Sequence, residues 1–318
     1  MRALFSFLLV CWCSFFAGAF YPYPSPMLLP SVASVAGAPV VIFAGIYANA
    51  AASANGTSWT TSTPGIGSAG QFAVWGNSQF VAVGTGAGVS LTSPNGVSWT
   101  SHSVSTFSSW TLGNMSYDGT RYYTLNAQGS KVFESTDGIN WSSVSLPIST
   151  VTDIANNGTT TCILSGTGAS TNTVASSTNG TSWTSHTLPT TQTWTQIVWN
   201  GSYFLAVASG TTTGATSPDC ATWTSRSMPG TAYKIAGGGG NFVFLPGGGT
   251  TVYTSPDGNA WTSRTVPVAL YSAAWTGANF VATGLSTNGA ISTTGASWSS
   301  VTLPSPPSTA WSYAYSVR

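Results

Sequence analysis

The seven residues SPNGVSW, Ser93 to Trp99, decide the fold, because close variants of them return six more times along the chain. The others are SANGTSW (Ser53 to Trp59), STDGINW (Ser135 to Trp141), STNGTSW (Ser177 to Trp183), SPDCATW (Ser217 to Trp223), SPDGNAW (Ser255 to Trp261) and STTGASW (Ser292 to Trp298). Their tryptophans, Trp59, Trp99, Trp141, Trp183, Trp223, Trp261 and Trp298, stand 40, 42, 42, 40, 38 and 37 residues apart. Self-similarity at such a period is the mark of a repeat architecture, in which each unit buries its faces only against its neighbours.

Outward from each motif, a second recurring element lies upstream: WGNSQF from Trp75, YDGTRY from Tyr117, WNGSYF from Trp199 and WTGANF from Trp275, with NNGTTT and GGGGNF as weaker forms. Asn, Asp or Gly sits there in a short turn between apolar runs, which is the hairpin signature. The third repeat shows the whole unit, with strands predicted near Thr111 to Tyr117, Arg121 to Leu125, Lys131 to Ser135 and Asn140 to Leu146. No segment has a helical period. The prediction is an all-β, seven-bladed β-propeller of four-stranded antiparallel blades over residues 38–318. The first repeat enters at Val40 to Gly45, which aligns with the second strand of the last repeat, Phe280 to Gly284. The tail TAWSYAYSV, Thr309 to Val317, is therefore predicted to supply the innermost strand of blade one and close the ring.

At these seven segments the sequence resembles the sialidase-type Asp-box repeat, of the shortened kind seen in bacteriophage tail and adhesion proteins. The resemblance runs from Ala38 to the C-terminus and departs from the usual box in bringing Gly one residue sooner. Asp137, Asp219 and Asp257 hold the acidic place, Asn55, Asn95 and Asn179 substitute for it, and Thr294 replaces it in the last repeat. The resemblance implies a structural motif on the turn between a blade's third and fourth strands. The Asp or Asn oxygen caps turn amides, Gly relaxes the backbone, and Trp packs between blades. A calcium loop needs several carboxylates per turn, and each turn here offers at most one, so no metal and no cofactor are expected.

Charge narrows the function classes. Seven Lys and Arg against six Asp and Glu give a net charge of +1, and 4% of residues are charged, against roughly 25% in an average soluble protein. With no basic run to neutralise phosphates, nucleic acid is not an expected partner. The full acidic inventory is Asp118, Glu134, Asp137, Asp153, Asp219 and Asp257; three lie in box turns, Asp118 in a hairpin turn, and only Asp153 near the start of an innermost strand. Glycoside hydrolysis needs a facing pair of carboxylates, which this set does not supply. His102, His186, Arg226 and Arg264 occupy one position, three residues after a box Trp, on four different outer strands. They read as polar side chains that blunt exposed sheet edges, with a peripheral anionic contact as the alternative.

The first stretch, MRALFSFLLVCWCSFFAGAF, reads as a hydrophobic segment 1–19, either a signal peptide cut after Ala19 or a retained anchor, followed by a Pro-rich linker 20–37. Outside it the cysteines are Cys162 and Cys220, on different repeats, and the expectation is two free, partly buried thiols. For ligand binding, the entrances to four innermost strands carry Trp194, Tyr233, Tyr271 and Trp311, on the face opposite the boxes. These four side chains suggest an aromatic arc for neutral sugars or a protein partner; packing between blades is the alternative.

The reading is a non-catalytic binding or scaffold propeller acting outside a bacterial cytoplasm, as a virion tail or surface component of a bacteriophage. Its expected partners are other virion or surface proteins, a host-surface glycan, and further copies of itself within an assembly. The alternative is a secreted or cell-surface carbohydrate-binding lectin.

Overall fold

The computed structural model describes residues 8–9, 40–44, 49–53, 55–64, 71–84, 88–107, 111–127, 129–166, 170–232 and 234–305. Blades are numbered here by the repeat that forms them. Blade three is an antiparallel meander of Leu112–Tyr117, Tyr122–Asn126, Lys131–Ser135 and Ser142–Ser145, innermost strand first. Six sheets, from repeats two to seven, are each built this way from four consecutive strands. The chain is thus an all-β propeller of four-stranded antiparallel blades, with six rather than seven blades completed from their own repeat.

The first repeat accounts for the difference. Its strands Val40–Ala44, Asn49–Ser53 and Trp59–Ser62 pair in order, with no innermost strand of the same repeat among the described residues, while a two-residue strand, Leu8–Leu9, also pairs with Asn49–Ser53. The predicted closing strand, Thr309 to Val317, lies outside the described residues, as do the linker 20–37 and most of the segment 1–19.

Within a blade, sequence and depth correspond. Second strands such as Phe204–Ala208 (FLAVA) and Tyr122–Asn126 (YYTLN) are buried at every residue, because both faces of the strand meet a neighbouring blade. Outer strands such as Thr224–Ser227 (TSRS) are exposed except at the one side chain leaning inward. Hydroxyl-rich edges of this kind keep an unpaired strand solvated in a chain with few charges.

The box turns follow the expected logic atom by atom. In blade two the Gly96 amide donates to Ser93 Oγ at 2.8 Å, Asn95 Oδ1 accepts the amides of Val97 (2.9 Å) and Ser98 (2.8 Å), and Trp99 Nε1 donates to Gly96 O at 3.0 Å. In blade three Asp137 Oδ1 accepts Ile139 and Asn140 at 2.8 Å each, so Asn and Asp do the same work. The tryptophans pack more variously than expected. Trp183 meets Tyr123 of the preceding blade edge-on at 6.5 Å, but Trp99 and Trp298 lie against Phe80 and Phe280 of their own blades. Only Trp141 is fully buried, at 8% exposure, with Phe107 of the incoming connection 5.2 Å away.

Cys162 and Cys220 are not free thiols; they form a disulfide between blades four and five, with Cα atoms 5.9 Å apart. The box glycine has φ near +75° (Gly96 72°, Gly138 75°, Gly180 78°), and its Cα faces the second strand of the preceding blade. A Cβ on Gly138 would strike the side chain of Val81, and one on Gly295 would lie 2.7 Å from Val243 Cγ2. Cys162 occupies the register place of Val81 and Val243, the three lying opposite Ala155, Val74 and Ala236 of their innermost strands. Cys220 occupies the glycine place, with φ of 66°. A repeat contact between glycine and an apolar side chain has thus been replaced on both sides at once by cysteine. Sequence reading missed the pair because the two residues are neighbours only once the blades are docked.

Candidate functional site

Two turns per blade share the box face: the box itself and the hairpin between the first and second strands. Gln79 Nε2, in the hairpin of blade two, donates to Asp137 O in the box of blade three at 2.9 Å, and Asn200 Nδ2 makes the same reach from blade five to Pro256 O of blade six at 2.8 Å. These two hairpins are therefore clamped by the following blade.

The register place of the innermost strand opposite Phe80, Tyr122, Thr161, Phe204, Phe242 and Phe280, beside this hairpin, is the inner edge of the box face. It is held by Trp75, Tyr117, Trp199 and Trp275, each half-buried, while Asn156 and Gly237 stand there in blades four and six. Each aromatic ring rests on its cross-strand partner: Trp75 on Phe80 at 4.5 Å, Tyr117 on Tyr122 at 4.7 Å, Trp199 on Phe204 at 4.7 Å and Trp275 on Phe280 at 4.8 Å. Two of them also lie over bare backbone of the preceding blade. A Cβ on Gly76 would overlap the ring of Tyr117, and Cβ atoms on Gly238 and Gly239 would overlap that of Trp275. Gly238 and Gly239 thus leave room for an indole.

The predicted arc on the opposite face is reduced. Trp194 is fully buried among the side chains between blades four and five, its Nε1 donating to Thr190 O at 3.3 Å, so it presents nothing to a ligand. The cause is the long outer strand Thr184–Gln192, which carries Thr190 over the indole. Tyr271 is half-buried against Gly248, and Tyr233 and Trp311 lie outside the described residues. The aromatic positions of the box face were visible in WGNSQF, YDGTRY, WNGSYF and WTGANF, but there they served only as hairpin signals.

The carboxylates are all engaged. Asp118 accepts the amides of Thr120 (2.7 Å) and Arg121 (2.6 Å) and the hydroxyl of Tyr123 (2.7 Å). Burial raises the pKa of Glu134 from its ordinary value, against the pull of Arg121, whose Nε is 3.4 Å away. Burial pushes Asp137 up, but the amide and side chain of Asn140, the Ile139 amide and Ser135 outweigh it and hold the carboxyl at about 2. Asp219 and Asp257 are lowered in the same way by their own turns.

Asp153 belongs to a polar belt along the innermost strands. Its Oδ1 accepts Asn114 Nδ2 at 2.6 Å and the Ile154 amide at 2.9 Å, and its Oδ2 accepts the Ile197 amide of the next blade at 2.8 Å. Gln196 Oε1 repeats the step, accepting the Ile235 amide at 3.0 Å. Asp153 is 0% and Lys234 1% exposed. Burial pushes Asp153 up to about 8, against its hydrogen bonds and the charge of Lys234. The belt supplies acceptors to inward-facing amides that no further strand would satisfy.

Three of the four basic residues of the outer strands lean onto third-strand hydroxyls. His102 Nε2 is 2.9 Å from Thr92 Oγ1, His186 Nε2 2.8 Å from Ser176 Oγ, and Arg264 Nε donates to Thr254 Oγ1 at 3.2 Å. Among the described residues no group of three His, Cys, Asp or Glu side chains could hold a metal ion.

Comparison with known proteins agrees on architecture. Residues 53–192 match the family model described as the DUF6242 beta propeller domain. No curated protein matches the sequence. Virginiamycin B lyase from Staphylococcus aureus superposes with a TM-score of 0.58 at 12% identity, over 81% of this chain and 89% of that one. YCF48 bound to D1 peptide gives 0.56 at 14%, over 79% and 86%, and AztD of Citrobacter koseri 0.57 at 9%, over 86% and 95%. At these identities the likeness is one of fold, and the fold common to all of them is the β-propeller.

Proposed function

We propose that this chain is a non-catalytic β-propeller that works by presenting surfaces outside the cytoplasm, as a virion tail or surface component of a bacteriophage. The observation that carries the reading is the commitment of every carboxylate. All six acidic residues of the chain hold turns, a neighbouring basic group or the inner belt, which supports a role that does not turn on a facing pair of carboxylates. The interblade disulfide supports an oxidising setting, since such bonds persist chiefly outside reducing cytosol. Relatives in fold include both a lyase and a peptide-bound propeller, so fold by itself carries no activity over.

We extend the proposal to the ring: a seventh blade is completed by Thr309 to Val317, because the first repeat lacks an innermost strand of its own. The second reading, a secreted or cell-surface lectin, is favoured by the half-buried aromatics of the box face. Mass spectrometry of purified phage particles separates the two. Peptides of this chain at a fixed copy number per particle are expected; their absence from particles, with the chain free in the medium, would favour the lectin.

A further inference from the structure

From the box face we infer that Trp75, Tyr117, Trp199 and Trp275 form a collar that binds neutral saccharide. This rests on the reading of the chain as a binding propeller and names its ligand class. The four side chains share one register place at the inner end of the hairpins, yet that place does not demand an aromatic ring. Blade four fills it with Asn156 and blade six with Gly237, and both blades keep their four strands. In the other blades the rings pack against the core and remain half-buried, which leaves part of each at the box face.

The rings are rigid and only partly covered. Each is backed by a cross-strand aromatic within 4.8 Å, and Tyr117 is further pinned by its hydroxyl donating to Gly119 O at 2.8 Å. A ring that is already fixed loses little entropy on binding. The neighbouring exposed turn residues are Asn77 and Ser78 beside Trp75, Thr120 beside Tyr117 and Ser202 beside Trp199, all uncharged amides and hydroxyls. The acidic Asp118 is tied up by two amides and Tyr123. A sugar ring offers a C–H face for stacking and hydroxyls for such groups, whereas an acidic glycan or a phosphate would meet one cation in these turns, Arg121, which already faces Glu134 at 3.4 Å. The rings stand in blades two, three, five and seven, with none at this place in blades four and six. That pattern suits separate sugar units of an extended chain better than the contiguous apolar centre of a protein interface.

The test is a glycan array carrying neutral and acidic oligosaccharides, probed with the full chain and with Trp199→Asn and Trp275→Asn. Asparagine is what blade four already carries at this place, and melting of each variant controls for folding. We expect binding to neutral glycans, a five- to tenfold loss of affinity in each variant, of the order known for aromatic contacts, and melting within a few degrees of the wild type. Binding confined to acidic glycans, no binding at all, or binding unchanged in both folded variants overturns the inference. If one variant fails to fold, the other decides. Release of new reducing ends from a bound neutral glycan would instead overturn the non-catalytic reading while leaving the collar in place.

Discussion

Cys220 has φ of 66°, a backbone conformation that costs a non-glycine residue about 1–2 kcal/mol. Joining it to Cys162 across a sequence separation of 58 removes unfolded-state freedom worth about 4 kcal/mol in the chain-entropy picture. The bond therefore outweighs the local penalty. Reductant is expected to lower the melting temperature of the wild type by several degrees. The double substitution Cys162→Val with Cys220→Gly, which restores the contact used in other blades, is expected to fold and to melt independently of reductant. A wild type whose melting ignores reductant would show that the staple does no work. The box carboxylates give a second prediction at this scale. The folded value of Asp137, about 2, lies below the unfolded value of about 3.9, so its contribution is present above pH 4 and is lost as pH falls toward 2. Asp219 and Asp257 act in the same direction. Acid melting curves should show this loss, and Asp137→Asn should make it shallower, because Asn55, Asn95 and Asn179 already serve their turns without a charge.

At the scale of the strand and turn, most of the structure was legible. Asn-Gly and Asp-Gly marked the boxes, Asn77 and Ser78 with φ of 44° and 59° form the tight hairpin turn that WGNSQF announced, and apolar runs such as FLAVA marked buried second strands. What local pattern cannot show is which aromatic meets water. Trp194 and Trp199 bound the same strand; the first is buried under Thr190 and the second is half-buried at the box face. Their difference comes from the length of the outer strand of blade four, a tertiary matter. Trp141, buried beside Phe107, is the box tryptophan whose removal should cost most: Trp141→Ala is expected to destabilise by about 3–5 kcal/mol in denaturant unfolding, and Trp223→Ala by less. The inner belt is testable by pH. Asp153 is raised to about 8 when folded, so the folded state binds its proton more tightly. Its contribution is complete below about pH 4 and is lost as pH rises through about 8. Asp153→Asn should flatten melting temperature against pH over that window; an unchanged slope would place the titration elsewhere.

For the whole molecule, the repeat gave the architecture because each forty-residue unit is one blade, and counting motifs counts units. It did not give the completed ring. Among the described residues repeat one contributes the motif and three strands that pair in order, so motif number and the number of blades completed from their own repeat part company there. The proposed collar went unread in the sequence for a related reason. Aromatics at strand entrances and at hairpins look alike in sequence, and only the register across blades shows that Trp75, Tyr117, Trp199 and Trp275 share one level. The central claim is that this propeller holds a ligand without transforming it. Incubating the full chain with immobilised neutral polysaccharides, and analysing both the retained protein and the released fragments by mass spectrometry, tests that most directly. The account predicts retention with no new cleavage product; shortened glycan in the supernatant, or no retention, would contradict it.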